Sequence, residues 1–350
     1  MVRAVVIGGG QAGLAATYHL ARHGIEHVVL ERGRVGESWR SQRWDSFVLN
    51  TPNWMSHLPG KADETEPRDA FLTRDAFVAR LQTYADDRQI PVRTGVEVTA
   101  VCPRPAGDGF VVSADDGGNT VDVETENVIV ASGVQRIPKV FEWLVGAGFF
   151  EVLLDKLSDP RMRFAKQPAI SGVGAQGHTV SLQYLAERGA VLLGRPSGVE
   201  GDRVLLDDTL GANIAFGDRM SAEANRGLEE GIRNAGLEPP DLEPDPADAP
   251  HPDPMSVRSP SELDLEAAGV GSVVWATGFG GDFGYLKAPV VDDGGEPIHQ
   301  RGVSPVPGIY FLGFPWLSKR KSGIIYGIDE DAAFIADHVA ERLAATDSPG

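Results

Sequence analysis

Three glycines close to the start of the chain have the spacing of a nucleotide-binding turn. Gly8, Gly10 and Gly13 spell G-x-G-x-x-G, and the apolar run 4–7 before them is typical of a parallel strand buried on both faces. Gly8 permits the tight turn, Gly10 lets a pyrophosphate approach the backbone, and Gly13 lets the next helix pack on the strand. Glu31 stands 18 residues after Gly13, near the spacing at which a carboxylate accepts hydrogen bonds from ribose hydroxyls. The pattern predicts a dinucleotide site.

The elements around these residues complete a βαβ unit. A helix with apolar positions at Leu14, Tyr18 and 20–21 follows the glycines, and Gly24 is expected to end it. A second strand follows at 28–30. Because the helix begins at the glycine turn, its free amide groups and positive dipole are placed to bind an anion.

The composition is that of a globular protein of one or two domains. The chain has 350 residues, of which 42% are hydrophobic, enough for a core. No apolar run reaches the roughly 18 residues of a membrane span, and the chain enters a strand at once, so we expect a cytoplasmic protein without a signal peptide. The net charge of −18 argues against nucleic acid or an anionic membrane as partner. The single cysteine, Cys102, excludes an internal disulfide, and no metal site is expected.

A long loop after the second strand is rich in aromatic and basic residues. Trp39, Trp44 and Trp54 are interleaved with Arg40 and Arg43, a combination suited to wall a flat aromatic ligand and to bind a pyrophosphate. Such long loops in compact domains are usually functional or disordered, and this one is too aromatic for disorder. The alternative is that the tryptophans form a satellite core.

The next elements alternate between helix and strand patterns. Thr73–Asp86 has helical apolar spacing, with Thr73 as a candidate cap. Three segments then alternate like antiparallel strands, and a buried parallel strand at 128–130 ends in small residues that let the backbone lie against a cofactor. The antiparallel strands are predicted at 92–101, 109–114 and 120–124, and the small residues are Ala131, Ser132 and Gly133.

The order of these motifs resembles a known family. The chain carries in turn GGGQAG, the acid Glu31, GESWRSQRWDSF, TPNWMSHLPG and VIVASG, as do the flavin-containing monooxygenase-like FAD oxidoreductases. The similarity is to the bacterial branch of predicted flavoproteins associated with cation efflux. It resumes in LGANIAFGD, in VVWATGF and from GEPIHQRGVSPVPGIYFLGF onwards. The resemblance implies an α/β fold, in which a Rossmann-type FAD-binding domain with three layers (ββα/α) and an antiparallel insert is joined to a reduced second segment.

By this resemblance the cofactor is FAD, and its binding residues can be placed in this sequence. The segment 321–326 is expected to approach the flavin ring. A helix that opens near 327–329 presents its positive end to the same ring. The implied cofactor-binding residues are Gly8, Gly10, Gln11, Ala12, Gly13, Glu31, Arg32, Trp39, Arg40, Val98, Ala131, Ser132, Gly133, Gly313, Gly323 and Ile324.

The chain departs from the family pattern where a second dinucleotide-binding unit normally binds NADPH. Gly172, Gly174 and Gly177 again spell G-x-G-x-x-G, but Pro168 precedes them and too few apolar residues are present for a central strand. About two βαβ units, on the order of 60 residues, are expected to be missing near 139–141. The sequence therefore predicts that the NADPH site is lost.

Several reactions are compatible with a flavin that lacks its own reductant site. We favour an oxidase in biosynthesis, in which a small natural-product-like substrate gives a hydride to flavin N5 and O2 reoxidises the flavin. One alternative is an NADPH-dependent monooxygenase with a degenerate site, where Arg195 faces the 2′-phosphate. The others are oxygenation with electrons from a separate reductase, a redox-neutral cyclase or isomerase, and a non-catalytic flavin sensor.

Three residues are candidates for catalysis. Asn50 falls where related monooxygenases carry an asparagine beside the flavin, although an Asn turn is an equal alternative. Lys321 belongs to a basic cluster, 319–321, suited to contact the flavin or an anionic substrate, with a solvated loop as the alternative. Tyr326 is expected to line the flavin pocket. His299 lies in a polar hairpin-like stretch and is not assigned to catalysis.

These observations predict two domains. Residues 1–138 and 270–350 form the FAD-binding domain, and 139–269 form a truncated substrate or cap segment. If the truncation exposes an apolar surface, a homodimer follows.

Within the cap, two stretches have distinct patterns. A helix is predicted over 213–233 and is capped near Asp218 or Ser221. The Pro/Asp-rich stretch 239–260 is expected to be an extended surface crossing, since its proline density excludes helix and central strand.

Overall fold

The chain folds into two units, seen in a computed structural model. The first consists of Met1–Ile137, Phe150–Arg163 and Phe279–Gly350, and the second of Pro138–Phe149 and Phe164–Gly278. The described residues 150–157, predicted to belong to the cap, thus pack with the first unit. The structure describes residues 2–43, 45–60, 67–105, 108–132, 145, 148–157, 170–171, 179–234, 236, 245–273 and 281–347.

Strands and helices are numbered in chain order. The described strands are β1 Val2–Ile7, β2 His27–Glu31, β3 Val92–Thr94, β4 Val96–Pro103, β5 Phe110–Asp116, β6 Asn119–Val130, β7 Ile170–Ser171, β8 Thr179–Val180, β9 Pro196–Glu200, β10 Arg203–Leu206, β11 Glu262–Asp264 and β12 Ile309–Phe311. The described helices are α1 Gln11–Arg22, α2 Glu37–Ser41, α3 Arg74–Asp87, α4 Leu182–Glu187, α5 Leu210–Asn234 and α6 Ile328–Asp347.

The parallel sheet of the first unit has the Rossmann arrangement that the sequence predicts. Its strand order is β3-β2-β1-β6, and β1 pairs in parallel with both β2 and β6. Ala4, Val5 and Val6 are fully buried because the sheet is covered on both faces. Strand β12 adds a further parallel pairing to β6, over Val128–Val130. The C-terminal part of the chain thus completes the sheet begun at the N-terminus.

Strand β6 is one continuous element where the sequence predicted two. Its first half pairs antiparallel with β5 up to Thr125, and its second half pairs parallel with β1 from Thr125 onwards. At this point Thr125 Oγ1 donates to the carbonyl of Asn127 at 2.9 Å, and the side-chain Nδ2 of Asn127 donates to the carbonyl of Arg3 at 3.0 Å. In the sequence, the polar residues 124–127 resemble a turn. In the structure, these buried hydrogen bonds satisfy the polar side chains, so the strand continues without a turn.

The predicted strand 92–101 is two strands. It divides at Gly95, whose amide donates to the carbonyl of Gly33 at 3.0 Å. Strand β3 continues the parallel sheet beside β2, whereas β4 starts the antiparallel insert with β5. The prediction was wrong because both halves share one alternating pattern, and only the tertiary pairing separates them.

Helix α3 confirms the helix predicted at 73–86. Thr73 is its N-cap, with Oγ1 accepting a hydrogen bond from the amide of Ala76 at 3.2 Å. The buried face of α3 packs on the loop that follows α2, and the Tyr84 hydroxyl donates to the carbonyl of Pro59 at 2.9 Å. This helix holds the aromatic loop against the nucleotide-binding unit.

Helix α6 packs along α1, the helix that follows the glycine turn. Two ion pairs or hydrogen bonds join their exposed edges: His19 Nε2 lies 2.6 Å from Asp329 Oδ1, and His23 Nε2 lies 2.8 Å from Asp337 Oδ1. The first turns of α6 are therefore held close to the C-terminal end of α1.

The second unit contains helix α5, which starts earlier than predicted. The helix begins at Leu210, and the amide of Asn213 donates to the carbonyl of Thr209. Asp218 and Ser221 are interior positions, so the predicted cap is wrong. The Asp218 carboxylate instead accepts hydrogen bonds from Gln183 Nε2 and from the amide of His251, both at 2.9 Å. It ties the helix to the Pro/Asp-rich stretch.

The structure describes the Pro/Asp-rich stretch from Asp245 onwards, and 239–244 lie outside the described residues. The stretch contains short 3-10 turns at Pro246–Asp248 and Pro254–Ser256. The Asp245 carboxylate accepts from the amides of Ala247 at 2.9 Å and Thr179 at 2.8 Å. Across the described ranges, no helix is long and apolar enough to cross a membrane, and no three metal-ligating side chains cluster.

Candidate functional site

The glycine turn between β1 and α1 has the shape of a phosphate cradle. A Cβ on Gly8 would lie 2.7 Å from the carbonyl oxygen of Ala131, and one on Gly13 would meet the Gly8 carbonyl, so both positions exclude a side chain. Gly10 differs, because nothing lies within 4 Å of its Cβ position. Gly10 is the N-cap of α1, and no side chain caps the helix there. Open space therefore faces a helix N-terminus, which is what a pyrophosphate requires.

Glu31 has a role that sequence reasoning missed. Its Oε2 accepts a hydrogen bond from the amide of Gly9 at 2.6 Å, and its Oε1 accepts from the amide of Gly33 at 2.7 Å. The carboxylate thus holds the glycine turn and the start of the next loop together. An ionised carboxylate has about four acceptor positions, so the predicted contact to ribose hydroxyls is compatible with both bonds.

The ends of three parallel strands meet at the glycine turn. The amide of Ala131 continues the ladder by donating to the carbonyl of Ile7 at 2.9 Å. Gly313, just after β12, passes so close to α1 that a Cβ there would lie 2.7 Å from Ala12 Cβ. The structure therefore brings Ala12, Ala131 and Gly313 together as predicted cofactor residues. Ser132 follows Ala131, and Gly133 lies outside the described residues.

Tyr285 lies beside this strand edge and was not singled out from the sequence. Burial raises the pKa of its hydroxyl to about 12, although the neighbouring Ser132 side chain acts in the opposite direction. No motif marks this tyrosine, because only the parallel bridge between Val101 and Leu286 brings its segment to the sheet.

Two of the predicted cofactor residues lie further along the sheet. Arg32 is exposed, with a guanidinium nitrogen 3.5 Å from Glu97 Oε1. Val98 lies in β4 and packs partly buried against the main core. The structure gives both residues protein partners, and their contacts to a cofactor remain predictions.

Trp39, in the aromatic loop that follows β2, contacts the first residue of α1. The indole Nε1 donates to Gln11 Oε1 at 2.8 Å, and the ring packs edge-to-face on Phe77 with centroids 4.9 Å apart. Arg40 Nε donates to the carbonyl of Val35 at 3.2 Å. The tryptophan thus packs in a satellite core and holds the side chain of Gln11, and its contact to a cofactor stays a prediction. Trp44 lies outside the described residues.

Asn50 lies half-buried at the start of a tightly bonded turn. The hydroxyls of Thr51 and Ser56 are 2.7 Å apart, and Asn53 Nδ2 donates to the carbonyl of Pro67 at 2.9 Å. The short 3-10 turn Asn53–Met55 follows from these bonds. The backbone around Asn50 is therefore rigidly held.

The basic cluster 319–321 is not a solvated loop. Lys321 is buried, and its ammonium group donates to Glu151 at 2.7 Å and also to Glu330. Lys319 bridges the same two carboxylates at 2.7 and 2.9 Å. Burial lowers the pKa of Lys321, but the two carboxylates outweigh that effect and hold it above its usual value. The four side chains form a compact neutral cluster, which we call the Lys–Glu cluster.

Glu151 lies in the short segment 150–154, which we call the strap and which runs alongside the segment 318–321. The amide of Arg320 donates to the carbonyl of Val152, and the amide of Leu154 donates to the carbonyl of Ser318, both at 3.0 Å. The residues lie far apart in the sequence, so no local pattern marks Glu151 as a partner of Lys321. The predicted catalytic role of Lys321 therefore concerns an ammonium group that already has two partners.

Tyr326 packs with two other aromatic rings next to the Lys–Glu cluster. Its ring packs edge-to-face on Trp54 and on Phe150, with both centroid distances 6.0 Å, and Lys321 Nζ lies 5.2 Å from its centroid. Gly323 and Ile324 lie buried between these groups and the start of α6. The segment 321–326 is thus a packed wall.

The first turn of α6 carries three acids, Asp329, Glu330 and Asp331. Asp331 is buried, and its Oδ1 accepts a hydrogen bond from Ser318 Oγ at 2.8 Å. Burial raises the pKa of the Asp331 carboxyl above its ordinary value of 3.8, despite the serine hydroxyl that acts against the shift. Acids at a helix N-terminus are stabilised by the positive end of the helix dipole. The positive end of α6 therefore interacts with the protein's own carboxylates as well as facing the predicted flavin position.

Comparison with known proteins agrees with this geometry. Residues 5–149 match the family described as pyridine nucleotide-disulphide oxidoreductase. A CzcO-like oxidoreductase of Geobacillus kaustophilus is 28% identical over 362 residues, which cover 97% of this chain and 98% of the relative. The indole-3-pyruvate monooxygenase YUCCA4 of Oryza sativa is 30% identical over 51% of this chain and 44% of its own length. A flavin-containing monooxygenase from Stenotrophomonas maltophilia superposes with a TM-score of 0.55 at 22% identity, over 98% of this chain and 99% of that chain.

The fold and the glycine turn define a Rossmann-type oxidoreductase that binds FAD. The family match covers residues 5–149, the similarity to the CzcO-like oxidoreductase spans nearly the whole chain, and the protein is an FAD-dependent oxidoreductase. The match to the CzcO-like relative is nearly end to end on both chains, so that relative is not longer by a whole dinucleotide-binding unit. The predicted loss of residues near 139–141 is thus not visible against it, and stays a prediction for the wider family.

Proposed function

We propose that the protein is an FAD-dependent oxidase of a small organic molecule, without an NADPH site of its own. The observation that carries this proposal is the setting of the second glycine motif, whose glycines lie outside the described residues. Strand β7 before the motif and strand β8 after it pair antiparallel with each other, each with only two residues. A dinucleotide site instead needs a glycine turn that leads from a parallel strand directly into a helix.

The helix after this motif is also unlike α1. The first helix, α1, begins at Gly10 without a side-chain cap, so its amide groups are left for an anion. Helix α4 begins after β8, and Ser181 caps it: Oγ accepts from the amide of Tyr184 at 3.2 Å. A capped helix of six residues offers little to a pyrophosphate. This contrast supports a single dinucleotide site in the chain.

When bound, FAD supplies a hydride acceptor that O2 can reoxidise. The chain's own contribution is to position the substrate. We place the substrate against the wall formed by Trp54, Phe150 and Tyr326, with Asn50 at the start of the rigid turn as the polar group beside it. The Lys–Glu cluster fixes Tyr326 from behind, because Lys321 Nζ packs over its ring.

An NADPH-dependent monooxygenase is the second candidate. It is favoured by the names of relatives, since YUCCA4 is an indole-3-pyruvate monooxygenase, and by the end-to-end match to the CzcO-like relative. In this case Arg195 is the candidate for the 2′-phosphate. Its side chain is exposed, and its backbone amide donates to Thr209 Oγ1 at 2.9 Å at the entry to β9.

Anaerobic stopped-flow absorbance separates the two candidates. The FAD-loaded protein is mixed with NADPH and, separately, with NADH, while the visible flavin band is followed; dithionite serves as the control that the flavin can be reduced. We expect no bleaching within minutes by either nucleotide. Bleaching by NADPH within seconds would refute the proposal, and the Arg195→Ala variant would then show whether Arg195 serves the 2′-phosphate.

A further inference from the structure

A cavity lies on the first unit, between the hairpin 298–305 and the middle of α6. Its volume is about 580 Å³, and none of the predicted cofactor or catalytic residues lines it. We propose that it is a ligand site for a small aromatic anion, a carboxylate or a phosphate ester. This site goes beyond the proposed oxidase function.

The hairpin presents an arginine where the backbone disfavours one. Gln300 and Val303 exchange hydrogen bonds of 2.9 and 3.0 Å around a two-residue turn. Both central residues have positive φ, 52° at Arg301 and 84° at Gly302, as in a type I′ turn. Such turns favour Asn-Gly, because a long side chain in the left-handed region is strained. An arginine at the first position therefore calls for an explanation outside the turn.

The turn places the Arg301 guanidinium over an aromatic ring of α6, which explains why an arginine occupies this position. Arg301 Cζ lies 3.9 Å from the ring centroid of Phe334 on α6, close enough for a cation–π contact. Both residues line the cavity, together with the imidazoles of His299 and His338. His338 in turn packs on Phe334, with ring centroids 5.6 Å apart. A cation, two imidazoles and an aromatic ring thus line the same cavity.

The charge of the lining stands out against the rest of the chain. The chain has 50 acidic and 32 basic residues, yet no Asp or Glu is among the described residues that line the cavity. In the described part of the chain, no carboxylate lies within ion-pair distance of the Arg301 guanidinium, although its charge lowers the pKa of the buried Asp331 carboxyl. An arginine in that position is available for an external anion.

The lining also has an apolar side. Ile298, Val303 and Phe334 face the cavity, and Ile298 is 42% exposed. A volume of this size accommodates a small ligand but not a protein segment. An aromatic ring fits against Phe334, while its carboxylate or phosphate forms the two parallel bonds that a guanidinium offers. A bare inorganic ion would leave the apolar side unused.

Calorimetric titration of the FAD-loaded protein tests the site. The probes are phenyl phosphate, benzoate and the neutral benzyl alcohol. We expect one of the two anions to bind in the millimolar range or tighter and benzyl alcohol not to bind. Preference for phenyl phosphate assigns a phosphate ester, and preference for benzoate assigns a carboxylate. No binding by either anion, or equal binding of benzyl alcohol, would overturn the proposal.

The variant Arg301→Asn separates recognition from structure. It should weaken binding of the anion by about tenfold or more, while thermal stability stays equal or rises, because Asn-Gly suits the turn. Arg188→Asn is the matched control, since Arg188 also stacks on an aromatic ring, 4.8 Å from the centroid of Tyr184, but is not among the residues that line the cavity. Unchanged binding in Arg301→Asn, or a loss of stability without a loss of binding, would show that Arg301 is only a structural residue.

Discussion

The amide of Gly9 donates to the carboxylate of Glu31 at 2.6 Å, across the gap between the first and second strands. This bond means that the acid expected to bind ribose also fixes the backbone that faces the pyrophosphate. Loss of the carboxylate therefore affects two parts of the cofactor site at once.

The first prediction uses the open space at Gly10. In Gly10→Ala, the new methyl group meets no protein atom within 4 Å, and the residue has φ −87°, which alanine adopts readily. The apoprotein should keep its stability within about 0.5 kcal/mol, while FAD affinity falls at least tenfold because the methyl occupies the path of the pyrophosphate. Flavin fluorescence titration and urea unfolding measure the two quantities.

The control for that prediction is Gly13→Ala. Its methyl would collide with the Gly8 carbonyl, so this variant should lose both stability and FAD binding. Full FAD affinity in Gly10→Ala would contradict the placement of the cofactor at α1.

The second prediction concerns Glu31→Gln. A glutamine turns its NH2 towards one of two donating amides, of Gly9 and of Gly33, so one hydrogen bond to a charged acceptor is lost. We expect FAD affinity to fall by about tenfold to a hundredfold, which corresponds to about 1.5–3 kcal/mol. Equilibrium dialysis of FAD measures it. Glu26→Gln, at an exposed position one strand-length earlier, should leave the affinity unchanged.

The third prediction compares the two lysines of the Lys–Glu cluster. The Lys321 side chain is 6% exposed and that of Lys319 26%. Lys321→Met should therefore lower the free energy of unfolding by about 2 kcal/mol, less than for fully buried pairs because both glutamates are half-exposed. Lys319→Met should cost about 0.5 kcal/mol. Urea unfolding at neutral pH gives both values.

The same cluster sets a pH window. Burial raises the pKa of Glu151 and of Glu330, but hydrogen bonds from the two lysines outweigh it and hold both below the usual value of 4.5. The stabilisation is thus fully present above pH 4.5 and is lost as the pH falls through the lowered pKa values. The difference in stability between the protein and Lys321→Met should shrink in acid; a constant difference would show that charge is not its source.

The fourth prediction concerns the buried Asp331. Its folded-state pKa lies above 3.8, so protonation stabilises the fold and ionisation costs stability as the pH rises past that value. Asp331→Asn removes the charge and keeps an acceptor for Ser318 Oγ, so the variant should melt at a higher temperature at pH 7. Below pH 3.8 the advantage should vanish. Asp293→Asn, in an exposed turn, is the matched control, and differential scanning calorimetry at both pH values is the measurement.

The nucleotide-binding unit could be predicted from the sequence because its signals are local. The apolar run before Gly8, the glycine spacing and the acid Glu31 all lie within about one βαβ unit. Thr73 is a similar case, since a cap and its helix are neighbours. For such elements the interactions that decide the structure are formed by residues close in the chain.

The remainder of the site depends on contacts between distant residues. Glu151 meets Lys321 only because the strap places it along the 318–321 segment. Strand β6 is continuous only because β1 and β5 pair with its two halves. Apolar periodicity carries no information about such partners, which is why the basic cluster could be interpreted either as a flavin contact or as a solvated loop.

The late position of β12 in the chain affects how the protein is made. On the ribosome, β1 and β5 can pair with β6 as soon as they emerge, but the outer edge of Val128–Val130 stays bare until Ile309–Phe311 has been synthesised. A bare apolar edge is a template for pairing with another nascent chain. Translation that stops before β12 should therefore release aggregating fragments, and chaperone demand should be highest while the middle third of the chain is being translated.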